Sequence, residues 1–124
     1  MAGYKKGVSI QLSKNFKSTE FDCKCGKGCN ITLIDSKLVT QLQKIRNHFN
    51  KPVVINSGFR CASHNRRVGG ASSSQHLYGR AADIVVKGVK PSIVADYCET
   101  LGFGGIGRYS TFTHVDTRGK KARW

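Results

Sequence analysis

An α+β fold is predicted: a small, mostly antiparallel sheet carries the candidate site residues, and two main helices pack on one side of it. Three observations predict it. Apolar residues recur at helical spacing in two separate stretches, 35–49 and 92–101. Short apolar runs bounded by turn residues lie at Val53-Val54-Ile55 and Ile84-Val85-Val86. Near the C-terminus, the glycine-rich 104–107 is followed by the alternating Phe112-Thr113-His114-Val115-Asp116-Thr117, the pattern of a β-hairpin.

In chain order, residues 1–19 are polar, with weak alternation at Val8, Ile10 and Leu12 that suggests a short edge strand or arm. Ser18-Thr19-Glu20-Phe21 leads into a cysteine–glycine loop, where Glu20 and Asp22 read as turn or helix-cap carboxylates. The clearest helix spans 35–49. Asp35 is its N-cap, Leu38, Leu42, Ile45 and Phe49 form its apolar stripe, and Lys51-Pro52 ends it. His48 falls near its C-terminal end, where a cation meets the negative pole of the helix dipole, and reads as structural. Residues 53–60 form a strand running into a glycine turn that Arg60 closes. Residues 61–75, rich in Ser, Gly and Asn, read as a long loop with Gly69-Gly70 as its hinge. The second helix carries Ile93, Val94, Tyr97, Cys98 and Leu101 on its apolar face and stops at Gly102, so Cys98 reads as a core residue. The basic tail 118–124 reads as loose, with Trp124 able to dock.

At 124 residues the chain has room for one domain, 1–124, with a core of about 18–119, and is expected to be a monomer. No apolar run reaches the roughly 18–20 residues that span a bilayer. Met1-Ala2-Gly3-Tyr4-Lys5-Lys6 is not followed by the apolar segment of a secretory signal, so synthesis in the cytoplasm is expected, with release by another factor if the substrate lies outside. The 21 Lys and Arg against 7 Asp and Glu give +14, a field that concentrates polyanions. The basic residues are scattered and carry no nucleic-acid fold signature, so no specific nucleic-acid partner is expected.

Five cysteines are present, and Cys23, Cys25 and Cys29 form a C-x-C-x3-C run with Gly26 and Gly28. With Cys61 as a fourth thiolate this could be a structural metal knuckle; reduced thiols or one redox-dependent disulfide are the alternatives.

The densest chemistry lies in 72–83. His76 stands in the loop seven positions before Asp83, which opens an apolar strand, and His114 arrives 31 residues later from a neighbouring strand. Two imidazoles and one carboxylate make a familiar zinc set with a fourth position left for water. Arg60, at a strand end beside them, could bind a substrate carboxylate as a bidentate pair.

Ser57-Gly58-Phe59-Arg60, Asn65, Gly69-Gly70, Ser74-Gln75-His76, Gly79, Ala81, Asp83, Gly107-Arg108-Tyr109 and His114-Val115-Asp116 together resemble the zinc D-Ala-D-Ala carboxypeptidase family of metallopeptidases, in particular its small single-domain members, phage cell-wall lysis enzymes (endolysins) among them. The resemblance implies that His76, Asp83 and His114 bind one catalytic Zn²⁺. It implies that Arg60 holds the carbonyl or carboxylate of a peptide substrate, with Ser74 and Gln75 beside it. The expected function is hydrolysis of peptidoglycan stem peptides, as a D,D-carboxypeptidase or an endopeptidase, with anionic wall polymer attracted by charge. One departure stands out: 108–113, before the last ligand, hold no carboxylate and no imidazole. Asp116 shares a strand face with His114 and is a candidate general base or, equally, a carboxylate that orients the imidazole. Tyr109 is a candidate oxyanion donor, and His64 a further candidate base. The missing upstream base also leaves open a catalytically weak binding or structural module, for example in a phage tail.

Overall fold

The computed structural model describes residues 1–26 and 28–124. Its centre is a five-stranded sheet in the order β5(Val53–Ser57), β6(Ala81–Val86), β8(Thr113–Asp116), β7(Gly105–Arg108), β9(Ala122–Arg123), antiparallel except for the β7–β9 pair. Two small antiparallel ribbons lie in the N-terminal part, β1(Ala2–Lys5) with β4(Ile31–Ile34) and β2(Gln11–Ser13) with β3(Phe16–Lys17).

Helices α1(Ser36–Phe49) and α3(Pro91–Cys98) touch each other and both touch β6. On β6 the side chains alternate: Ala82, Ile84 and Val86 join Leu38, Leu42, Ile45, Val94, Ala95 and Cys98 in the core, while Asp83 points to the other face. Val115 and Ile106 repeat this on the neighbouring strands, so the helices cover one face and leave the opposite one for polar chemistry. Leu42 and Ile45 are fully buried.

Helix α1 starts where Asp35 accepts a hydrogen bond from the Lys37 N–H at 3.2 Å, satisfying a donor that has no partner inside the helix. It ends at Asn50, which takes a left-handed conformation (φ 51°) while its N–H bonds to the Arg46 carbonyl at 3.0 Å. His48 stacks on Tyr97 at 3.7 Å between ring centroids, a packing role that joins α1 to α3.

The structure departs from the sequence expectations in four places. The stretch 61–75 is not all loop, since α2(Ala62–Arg67) lies within it. The N-terminal arm enters two ribbons; β1 escapes an alternation test because its residues are exposed or half-buried, and β4 because its exposed position holds Ile31 and one of its buried positions Thr32. Asp83 sits in the middle of β6, which already begins at Ala81. The tail is ordered along β7 through β9, with the Trp124 N–H bonding to the Ile106 carbonyl at 3.1 Å and the Arg108 N–H to the Trp124 carbonyl at 2.7 Å.

Candidate metal and catalytic site

Register brings the first two polar residues together. Asp83 on β6 is the direct partner of His114 on β8, and both side chains point away from the helices. His76 reaches them from a short 3-10 turn, Gln75–Tyr78, opened by Ser74, whose hydroxyl accepts from the His76 N–H at 3.2 Å. Gly79 closes that turn at φ 69°, where a side chain would also collide with the Leu33 carbonyl.

The Nδ1 of His76 lies 2.7 Å from the Gly58 carbonyl, so Nδ1 carries the proton and donates, leaving Nε2 as a lone pair 3.3 Å from Asp83 Oδ1. His114 is oriented the other way round. Its Nε2 donates to Asp116 Oδ2 at 2.7 Å, and Nδ1 lies 2.9 Å from the same Asp83 oxygen. One donor atom from each of His76, Asp83 and His114 falls within 4.8 Å of the others, and all three residues are buried. Each imidazole thus turns one nitrogen to a shared point and has the other fixed by an acceptor, as metal-ligating histidines are commonly held. This donor set fits a single zinc ion.

Asp116 is fully buried. Arg118 grips it through Nε (2.8 Å to Oδ1), Nη2 (2.7 Å to Oδ2) and its backbone N–H (3.1 Å to Oδ1). Burial works to raise the pKa values of Asp83 and Asp116. The His114 and His76 rings beside Asp83, which become donors to it when they are charged, and the hydrogen bonds from His114 and Arg118 to Asp116 outweigh it and hold both carboxyls well below the usual range. Burial likewise works against a charged His114, but the bonds to Asp116 and Asp83 prevail and raise its pKa.

The cleft over these residues has a volume of about 390 Å³. Arg60 lies on its wall, with Nη2 3.2 Å from Asp83 Oδ2, Nε 3.0 Å from Ser57 Oγ and Nη1 3.4 Å from Asn65 Oδ1. Asn65 also donates to the Ala71 carbonyl at 2.9 Å, tying α2 to the rim. Ser74, Gln75 and Tyr109 line the same cleft, and the Gln75 Oε1 is buried with no hydrogen-bond partner. His64 lies on α2 and is not among the lining residues. Asp83 is the sole carboxylate among them, because Asp116 stands behind His114.

Trp124 and Arg118 line the cleft as well, and the sequence assigns neither a role in the site. Trp124 sits 4.9 Å from the His114 ring and donates from Nε1 to the Tyr109 hydroxyl at 2.7 Å, and the Arg118 guanidinium lies over its indole at 5.2 Å. A lone tryptophan in a basic stretch is the signal that finds the first. Arg118 gives none, since its role depends on the fold behind Asp116.

Residues 14–116 match the family model described as Peptidase M15. A zinc D-Ala-D-Ala carboxypeptidase of Streptomyces albus G is 45% identical over 62 residues, covering 48% of this chain and 24% of that protein. The peptidoglycan L,D-endopeptidase MepK of Escherichia coli strain K12 is 32% identical over 103 residues, covering 76% of this chain and 56% of that protein. The chain thus spans from about a quarter to just over half the length of these curated relatives.

Proposed function

The chain belongs to the peptidase M15 family, and from that premise we propose that it hydrolyses peptidoglycan stem peptides with one zinc ion held by His76, Asp83 and His114, as a D,D-carboxypeptidase or an endopeptidase. The observation that carries this is the convergence of two oriented imidazoles and a carboxylate beside Arg60 in one cleft. When bound, zinc supplies Lewis acidity and lowers the pKa of a coordinated water to about 7.

The chain's own residues supply binding and orientation. Arg60 is partly exposed to the cleft and already braced by Ser57, Asn65 and Asp83, so its remaining N–H groups can take a substrate carboxylate or carbonyl without first being ordered. Ser74 and Gln75 line the cleft beside Arg60, where a bound peptide would run against them. Tyr109, with its oxygen accepting from Trp124, keeps its own O–H to donate toward a developing oxyanion. Of the two roles open to Asp116, the geometry favours orienting His114: its oxygens are saturated by His114 and Arg118 and buried away from the cleft.

The finer form of the reading is an endolysin-type phage enzyme that reaches the wall after release. It is supported by the +14 charge, which would concentrate the protein on anionic wall polymer. Weak wall binding at low salt would count against it.

A second reading, a catalytically weak binding module of the same fold, is favoured by one observation: Asp83 is the sole carboxylate lining the cleft among the described residues. Mass spectrometry of defined stem peptides incubated with zinc-loaded protein, with and without a chelator, separates the two. A peptidase releases a chelator-sensitive product. Intact peptide under both conditions, with zinc bound, supports the module.

A further inference from the structure

A second group of ligands lies away from the catalytic cleft. Cys23, Cys25, Cys29 and Cys61 bring their sulfurs within 4.8 Å of one another. The Cys25–Cys29 separation is 3.3 Å and the Cys23–Cys61 separation 3.6 Å. A tetrahedral ion with zinc–sulfur bonds of about 2.3 Å places its four sulfurs about 3.8 Å apart, and soft thiolates select such a metal over oxygen-loving cations. A single disulfide would use one pair of sulfurs, and two separate disulfides would give no cause for the two pairs to lie within 4.8 Å of each other, as one shared ion does.

The surroundings suit a negatively charged tetrathiolate. The Cys61 backbone N–H points at Cys23 Sγ at 3.4 Å, and Lys6 Nζ donates to Cys25 Sγ at 3.4 Å and Cys29 Sγ at 3.3 Å. Arg67 Nη2 donates to the Cys25 carbonyl at 3.2 Å, bringing a second cation to the loop. Two thiolate charges in excess of a divalent ion would meet two nearby cations. Cys23 and Cys25 are buried, and residues 22–26 that carry them form no helix or strand.

We propose that Cys23, Cys25, Cys29 and Cys61 bind a second, structural zinc ion that ties the 23–29 loop to the start of α2. Cys61 directly follows Arg60, so the knot also fixes the backbone from which Arg60 enters the cleft.

Metal content of the untagged, reduced full chain tests this, together with the same measurement on His76→Ala and Cys29→Ser. The expected result is two zinc ions in the parent chain and one in each variant. Cobalt loading supplies a readout independent of activity and of whether Cys29→Ser folds: sulfur-to-cobalt charge-transfer absorption appears in the parent chain and persists in His76→Ala. Absence of that band in folded, cobalt-loaded His76→Ala overturns the proposal, as does a reduced parent chain holding one zinc ion with its cysteines freely alkylated. If His76→Ala keeps two zinc ions with the band intact, the catalytic assignment fails while the cysteine site stands.

Discussion

Replacing Asp116 by alanine leaves the His114 Nε2–H, now 2.7 Å from a carboxylate oxygen, without an acceptor in a buried position. An orphaned buried donor costs about 1–3 kcal/mol. The ion pair lost with Arg118 adds less, because that side chain is 29% exposed and water can replace its partner. The imidazole is then free to rotate or change tautomer, and loss of a carboxylate behind a metal-bound histidine typically weakens metal binding about 10–100-fold. Asp116→Ala should therefore lower zinc affinity by that factor in a competition titration against a chromophoric chelator. Asp116→Asn, which can still accept from Nε2, should fall between. If Asp116 were instead the general base, peptide cleavage would collapse while zinc affinity stayed at the parent value. Unchanged zinc affinity in a folded Asp116→Ala protein refutes the orienting role.

Other perturbations follow from the same geometry. Arg60→Lys keeps the charge but loses the fork, so kcat/KM should drop about 10- to 100-fold with zinc content unchanged; parent-like kinetics would remove Arg60 from the substrate. Tyr109→Phe preserves the stack on Phe112 at 4.3 Å and should reduce kcat about 10- to 100-fold, near the low end for an oxyanion donor because the ring is partly exposed. An unaltered kcat would assign Tyr109 to packing alone. Leu42→Ala empties a fully buried position between α1 and the sheet and should destabilise by about 2–5 kcal/mol in a denaturant titration. A loss under about 1 kcal/mol would mean that the core at α1 collapses around the gap.

How far the sequence reveals this molecule depends on whether a feature is local. Helix α1 was legible because Asp35 and the Leu38-Leu42-Ile45 stripe act within one stretch of chain. The β7–β8 hairpin was legible because its glycines and its alternation are adjacent. Helix α2 was hidden: Ala62–Arg67 is six residues long, has one buried side chain, and is held by Asn65 reaching across to Ala71 and Arg60. Strand β9 was hidden because two residues pairing in parallel with β7 leave no periodic trace. At the site, the residue types of His76, Asp83 and His114 point to metal chemistry from sequence. That Asp83 is the register partner of His114 comes only from pairing β6 with β8. The ambiguity over Asp116 is of the same kind, because face-sharing on a strand says that it neighbours His114 and leaves open which nitrogen it meets and whether Arg118 has already claimed it.

The most direct test of the central claim is cleavage of a defined stem peptide by the zinc-loaded parent chain and by His76→Ala, followed by mass spectrometry, with circular dichroism to establish that the variant is folded. Removing one of the three proposed ligands should abolish catalytic zinc binding and peptide cleavage together. Cleavage at the parent rate by the folded variant would contradict the assignment of His76, Asp83 and His114 as the catalytic centre.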